Sequence, residues 1–417
     1  MTSPDVNRTI EAVWRIESAR LIAGVARLVH DVGLAEDLAQ EALVAALEQW
    51  PESGVPQNPG AWLMATAKHR GIDRLRRAEV QRRKVEELGR QGEHRSDGGD
   101  ELTAAVDDPF DDDLLRLIFI ACHPVLSTDA RVALTLRLLC GLTTKEIARA
   151  YLTSESTVAQ RIVRAKRTLQ AARVPFEVPG RGELRERLAS VLEVVYLIFN
   201  EGYSASVGEE LVRPELIDEA LRLGRILAEL VPGEAEVHGL VALMELQGSR
   251  TRARLSPSGE QVLLADQERS RWDWLLVNRG LEALERAYET GGPLGPYTLQ
   301  AGIAACHARA RAAEDTDWDR IVALYDGLRQ LMPSPVVELN RAVAVGMASG
   351  PRAALEIVDA LREDRVLDGY HLLPAVRADL LERLGRLDEA RSEFERAALM
   401  TANSRQRAAL LARAHGP

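Results

Sequence analysis

The chain has 417 residues, enough for two or three domains that each bury a core. Aromatic residues make up only 4% against 46% hydrophobic residues overall, and Ala, Leu, Arg and Glu are prominent, which favours an all-α protein over a sheet-based one. The net charge of −10 argues, as an average, against a nucleic-acid partner, and three cysteines are too few for a disulfide scaffold and suit a reducing cytosol. The first residues lack a signal-peptide pattern, and no apolar run is long enough to span a bilayer, so a cytoplasmic chain without membrane contact is expected.

The average charge hides a partition along the chain. Residues 7–77 read as a helical bundle. Apolar positions recur at helical spacing in Val13, Ile16, Leu21, Ile22, Val25 and Leu28, then in Leu38, Leu43, Ala46, Leu47 and Trp50. A turn-rich segment from Pro51 to Gly60 separates these from a third helix starting near Ala61. Residues 60–85 carry a net +6, residues 145–173 a net +5, and residues 93–113 between them a net −8. The acidic stretch 91–113 has almost no apolar content and reads as a flexible linker. A compact helical module is expected over 114–175. Pro175, Pro179, Gly180 and Gly182 then mark a boundary, and residues 183–417 are again helical. One exception is expected at Arg252 to Leu264, where two short runs flank Ser256-Pro-Ser-Gly259 in the pattern of a β-hairpin.

The C-terminal half also shows a weak repeat. Arg341-Ala342 recurs as Arg377-Ala378 after 36 residues, and Gly350 as Gly385 after 35. Ala378, Gly385, Ala390, Phe394 and Ala397 have the small–large spacing of a tetratricopeptide helix pair.

Within the second module, Thr143 and Glu146 have capping-box spacing, and Ser154 or Thr153 can cap a following helix. Ile147 and Ala148 face inward on the first helix, and Val158, Ile162, Ala165 and Leu169 on the second. The outer face of the second carries Ala159, Gln160, Arg161, Val163, Arg164 and Arg167. This is a helix-turn-helix, which places its second helix in the major groove. Gln160 and Arg164 are the candidate base readers, by the pairing of Gln with adenine and Arg with guanine. Thr157, Lys166 and Arg167 suit phosphates. The plainer alternative is a solvated basic helix.

Two segments together carry a family resemblance. Ala35 to Trp50 followed by Asn58 to Arg77 closely resembles sigma region 2, and Gly141 to Leu169 resembles region 4. Their order, without a region 1 or 3, resembles the extracytoplasmic-function sigma factors. The remainder resembles the tetratricopeptide-like extension of one subgroup, including Leu197 to Ser204 and Asp266 to Asp273. The resemblance implies a promoter-specificity subunit of bacterial RNA polymerase, with no cofactor and no catalysis of its own. Asp37, Gln40, Glu41 and Glu48 would dock on the β′ clamp. Asn58, Lys68, His69, Arg70, Arg74, Arg76 and Arg77 would meet the −10 element. Thr157, Ala159, Gln160, Arg161, Val163, Arg164, Lys166 and Arg167 would meet the −35 element, with region 4 on the β flap. Relatives often have Asn where His69 stands. Asp73 is expected to orient neighbouring arginines, and Trp62 to be core rather than a base-stacking surface. The acidic linker would thread toward the active centre or act as a tether. The C-terminal domain is expected to regulate, through an intramolecular contact with the sigma domains or by contacting polymerase.

Two other readings compete. A helix-turn-helix activator that is not a polymerase subunit explains the second module and the repeats, but not the Asp37–Trp50 and Trp62–Arg77 pair. An enzyme in the C-terminal half finds no acid–base or nucleophile cluster, and neither a GxxxxGKS/T loop nor a GxGxxG after a strand is present. His238, His307 and His371 are isolated. Cys122, His123 and Cys140 lack metal-ligand spacing and sit among apolar residues, so buried thiols and no metal are expected.

Overall fold

The computed structural model describes residues 3–89, 110–151, 153–204, 212–256 and 262–415. Among these the chain is all-helical. It divides into two compact units, Met1–Val194 and Val195–Pro417.

In the first unit, α1 (Ser3–Val29) packs on α2 (Val32–Ser53) and α3 (Pro59–Gly89). Asp31 caps α2 by accepting a hydrogen bond from Leu34 N at 2.8 Å. Asn58 caps α3 through Ala61 N at 3.0 Å, one residue before Pro59 presets the first helical φ. The core between them takes Leu21, Ile22 and Val25 from α1, Leu38 and Trp50 from α2, and Leu63 and Ala67 from α3. Ile16, expected inward, is 68% exposed. At about 100° per residue it lies roughly opposite the buried stripe of Ser18, Leu21, Ile22 and Val25, so apolar character alone misplaced it. Leu47 is likewise exposed.

The four helices α4 (Phe110–Ala121), α5 (Thr128–Leu138), α6 (Thr144–Ala150) and α7 (Glu155–Ala171) follow, and α1 also packs on α4 and α5. Residues 90–109, most of the expected acidic linker, lie outside the described residues. The last part of that stretch is the first turn of α4, where Asp113 is buried and paired with Arg116 at 2.7 Å and Arg27 at 3.3 Å. Gly141 occupies the left-handed region at φ +68°, and a Cβ there would meet Ser18 Oγ at 2.9 Å. It turns the chain into α6 while letting the backbone close on α1. The first part of α8 (Arg181–Tyr203) belongs to this unit. Arg187 Nη2 donates to Phe119 O at 2.9 Å, and Ser190 Oγ to Cys122 O at 2.6 Å. The Pro- and Gly-rich stretch near 175–182 is therefore a turn within the first unit, and the division between units falls inside α8.

The second unit continues with α9 (Pro214–Leu230), α10 (Ala235–Gly248), α11 (Trp274–Glu289), α12 (Pro296–Arg309), α13 (Trp318–Leu331), α14 (Pro335–Ala348), α15 (Pro351–Ala360), α16 (Leu372–Arg383), α17 (Leu387–Met400) and α18 (Ser404–His415). From α9 onward each helix packs on the next in chain order, so buried clusters succeed one another along the unit. Arg341 and Arg377, 36 residues apart, each donate from Nε to an aspartate of the preceding helix, while their Nη1 partners differ in position. Arg341 Nε donates to Asp326 at 2.7 Å and Nη1 to Glu338 at 3.2 Å, while Arg377 Nε donates to Asp359 at 2.7 Å and Nη1 to Glu393 at 3.0 Å. Ala342 and Ala378 beside them are fully buried.

The expected hairpin at 252–264 forms no strand among the described residues. Thr251–Ala253 is a 3-10 turn, drawn tight by Thr251 Oγ1 donating to Gly248 O at 2.7 Å. Val262 N donates to Arg254 O at 2.8 Å and Leu255 forms an isolated β-bridge, while residues 257–261 are outside the described set. No helix of the described residues is long and apolar enough to cross a membrane.

Candidate nucleic-acid interface

The helix-turn-helix forms as its sequence predicts. Glu146 N donates to Thr143 Oγ1 at 3.1 Å while Thr143 N donates to Glu146 Oε2 at 2.8 Å, so both halves of the capping box are made. Ser154 Oγ accepts from Thr157 N at 3.0 Å and starts α7. Ile147, Ala148, Val158, Ile162, Ala165 and Leu169 are all buried. Thr157, Gln160, Val163, Arg164 and Arg167 are exposed, and Ala159 and Arg161 half-buried. Thr157, Gln160, Arg161 and Arg164 line one cavity of about 340 Å³ together with Ser127 and Asp129 from the start of α5. Asp129 holds Arg161 at 3.2 Å. The N-terminal half of α7 thus presents donors, acceptors and cations on one face, the arrangement that reads base edges and phosphates.

Lys166 behaves differently. It points back to the first helical group and ion-pairs with Glu36 of α2, whose side chain is 6% exposed; Arg137 Nε of α5 reaches the same carboxylate at 2.6 Å. Gln170 Nε2 donates to Asp31 Oδ2 at 3.0 Å, and Arg15 of α1 lies 3.5 Å from Glu146. The C-terminal half of α7 is therefore docked on the N-terminal end of α2 by a buried carboxylate clasped between two cations. Nothing in the local sequence marked Glu36. It is one more acid on an amphipathic helix, and its partners lie 101 and 130 residues away.

On the adjoining face of α2, Asp37, Glu41 and Glu48 are exposed and Gln40 half-buried, with Val44 and Leu47 exposed among them at 51% and 43%. Acids interleaved with uncovered apolar side chains suit a protein partner better than solvent. Glu41 also faces α3, 3.4 Å from both Arg70 and Arg74, and these residues line an open cavity of about 430 Å³ with Asp37 and Gln40. Along α3, His69, Arg74, Arg76 and Arg77 are exposed and Lys68 and Arg70 half-buried. Asp73 pairs with His69, at 3.5 Å, and among the described residues not with an arginine. Trp62 lies edge-on to the buried Trp50 with ring centroids 5.4 Å apart. Asn58 uses its side-chain oxygen as the α3 cap.

Cys122 and Cys140 are buried thiols. Burial pushes Cys122 up to about 11, and its Sγ lies 3.4 Å from Thr135 Oγ1.

Two helical modules, each with a cationic helix face, define a nucleic-acid-binding protein. Comparison with known families is specific for both. Residues 16–80 match sigma-70 region 2, residues 116–169 match sigma-70 region 4, and residues 187–288 match a family of unknown function (DUF6596). An uncharacterized protein of Rhizobium meliloti (strain 1021) is 44% identical over 384 residues, covering 92% of this chain and 89% of that protein. The ECF RNA polymerase sigma factor SigC of Mycobacterium tuberculosis (strain CDC 1551 / Oshkosh) is 29% identical over 175 residues, 42% of this chain and 84% of that protein. A second protein of that strain, named "Probable ECF RNA polymerase sigma factor SigI", is 28% identical over 173 residues, 40% of this chain and 57% of that protein. The chain carries the region 2 and region 4 domains of the sigma-70 family, a non-enzymatic family, is similar to extracytoplasmic-function sigma factors, and has an additional helical C-terminal domain.

Proposed function

We propose that this cytoplasmic protein binds core RNA polymerase and directs it to promoters through −10 and −35 elements, with regulation through its C-terminal unit. The carrying observation is the ordered pair of region 2 and region 4 in one chain. The exposed acidic and apolar stripe of α2 is the candidate contact for the β′ clamp. The basic face of α3 takes the −10 element, and Gln160 and Arg164 read the −35 element while Arg167 and Lys166 hold phosphates.

This reading requires the first unit to open. Elements centred at −10 and −35 lie about 25 base pairs apart, roughly 85 Å along B-form DNA at ~3.4 Å per base pair. Ion pairs between α2 and α7 cannot persist while the two modules stand that far apart. The Glu36 clasp therefore belongs to the free protein, and Lys166 changes partner from a carboxylate to a phosphate on opening.

The succession of helix pairs and the matched Arg341 and Arg377 bonds support a tetratricopeptide-like C-terminal unit. We read it as required for activity. Because α8 up to Val194 packs within the first unit, a truncation that tests this should end after residue 203 rather than at 183.

The polymerase contact is tested by capture of core enzyme on immobilised full chain. Asp37→Arg combined with Glu48→Arg should abolish capture with an unchanged circular dichroism spectrum. These positions are preferable to Glu41, whose bonds to Arg70 and Arg74 tie it to the DNA-facing helix. Undiminished capture would overturn the assignment of this face.

A further inference from the structure

Three arginines of the second unit lie against two aromatic rings, and among the described residues no carboxylate forms an ion pair with them. Arg254, 8% exposed, lies with Cζ 3.8 Å over the Tyr203 ring, and Tyr203 itself stacks on the buried Phe199. Arg269 lies 4.8 Å over the Trp272 ring. Arg250 stands between them, with Cζ 5.9 Å from both ring centroids. Carbonyl oxygens fix two of these groups: Arg254 donates to Tyr203 O, and Arg269 Nη1 to His307 O at 2.8 Å. Among the described residues none of the three has an ion pair. Asp315 and Glu314 act on Arg269 only from a distance.

Buried charge is ordinarily paired, and like charges held together raise each other's energy. Here Arg250 depresses both Arg254 and Arg269, after the larger effect of burial. Ring faces and carbonyls orient guanidiniums but do not neutralise them. A second shortfall lies at the same place. The indole N–H of Trp272, a residue only 4% exposed, has no hydrogen-bond partner among the described residues. Buried donors left unmade are rare in folded proteins.

We infer that this corner of the C-terminal unit, formed by Arg250, Arg254, Arg269 and Trp272 beside Tyr203, is a binding site for a phosphoryl group. Several guanidiniums held around one place match the three acceptor oxygens and near-double charge of a phosphate better than a single carboxylate. Arg250 and Arg269 are half-exposed, so the ligand can arrive from solvent. Tyr203 lies in the segment Leu197 to Ser204, and Arg269 and Trp272 in the segment Asp266 to Asp273. They lie within the stretch matching the family of unknown function. The site gives that domain a ligand-sensing role, and it stands independently of the promoter-binding reading.

The test is isothermal titration calorimetry on the full chain at constant ionic strength, with inorganic phosphate, glycerol 3-phosphate and acetate. Saturable binding of a phosphate is expected, weakened at least tenfold in Arg250→Gln and in Arg269→Gln, with acetate inert. These two residues are chosen over the buried Arg254 so that folding, checked by circular dichroism, is retained. A tenfold preference for glycerol 3-phosphate assigns an organic phosphate ester, and near-equal affinities assign the free ion. No saturable heat with either phosphate, equal binding of acetate, or unchanged affinity in both variants would overturn the proposal.

Discussion

Replacing Glu36 by Gln removes the negative charge that ties α2 to both Arg137 of α5 and Lys166 of α7 while keeping the side chain's shape. Each charge-assisted hydrogen bond contributes about 1.5–3 kcal/mol net. Removing one partner of a buried pair costs ~3–5 kcal/mol. Arg137 and Lys166 keep 18% and 20% side-chain exposure, so water recovers part of that loss. A destabilisation of about 2–3 kcal/mol of the closed arrangement remains, or roughly 30- to 150-fold in the closed-to-open ratio. Where the closed form dominates, apparent promoter affinity of the free protein rises by up to the same factor. The opening can be read directly by electron–electron resonance between spin labels at Ala65→Cys on α3 and Val163→Cys on α7, both exposed positions; the native cysteines are buried. Glu36→Gln should broaden the distance distribution toward long separations. Lys166→Met should do the same yet bind promoter DNA more weakly, and the two substitutions together should be strongly non-additive. Unchanged distances and unchanged affinity in Glu36→Gln would refute the clasp.

Two other outcomes follow from single side chains. Arg164→Ala should cost about 1–3 kcal/mol and relax preference at one −35 position, whereas Arg167→Ala should weaken binding evenly and lower the salt slope by about one; competition binding against a −35 library separates them, and equal patterns would remove Arg164 as a reader. Burial, reinforced by Arg250 and Arg269, lowers the His307 pKa from 6.5 to about 4. Between those values the unfolded chain takes up a proton that the folded chain refuses, so stability is lost as pH falls, about 2 kcal/mol of it by pH 5. In thermal unfolding, His307→Gln should therefore narrow the difference between pH 7.5 and pH 5, and an unaltered difference would show that His307 titrates freely.

The helix-turn-helix was legible because its determinants are local. Capping residues sit three apart, inward positions recur every three or four, and each expected inward residue of α7 is buried. The two sigma modules were legible for the same reason, as motifs on single helices. What escaped depends on distant pairing. Glu36 acquires its meaning from Arg137 and Lys166, and the arginine cluster from Tyr203, Arg250, Arg254 and Arg269 meeting across α8, α10 and the turn before α11. The 252–264 segment alternated like a hairpin, but its first residues close as a 3-10 turn on the end of α10 through Thr251. Ile16 and Leu47 show a further limit. Helical spacing identifies a stripe, yet an apolar residue outside it stays exposed.

The promoter-specificity reading is tested most directly by transcription. Full chain added to sigma-free core RNA polymerase and a library of genomic fragments should yield discrete transcripts whose start sites share common −10 and −35 sequences. Tight DNA binding by the chain alone, with no transcript above that of core enzyme from any fragment, would contradict it.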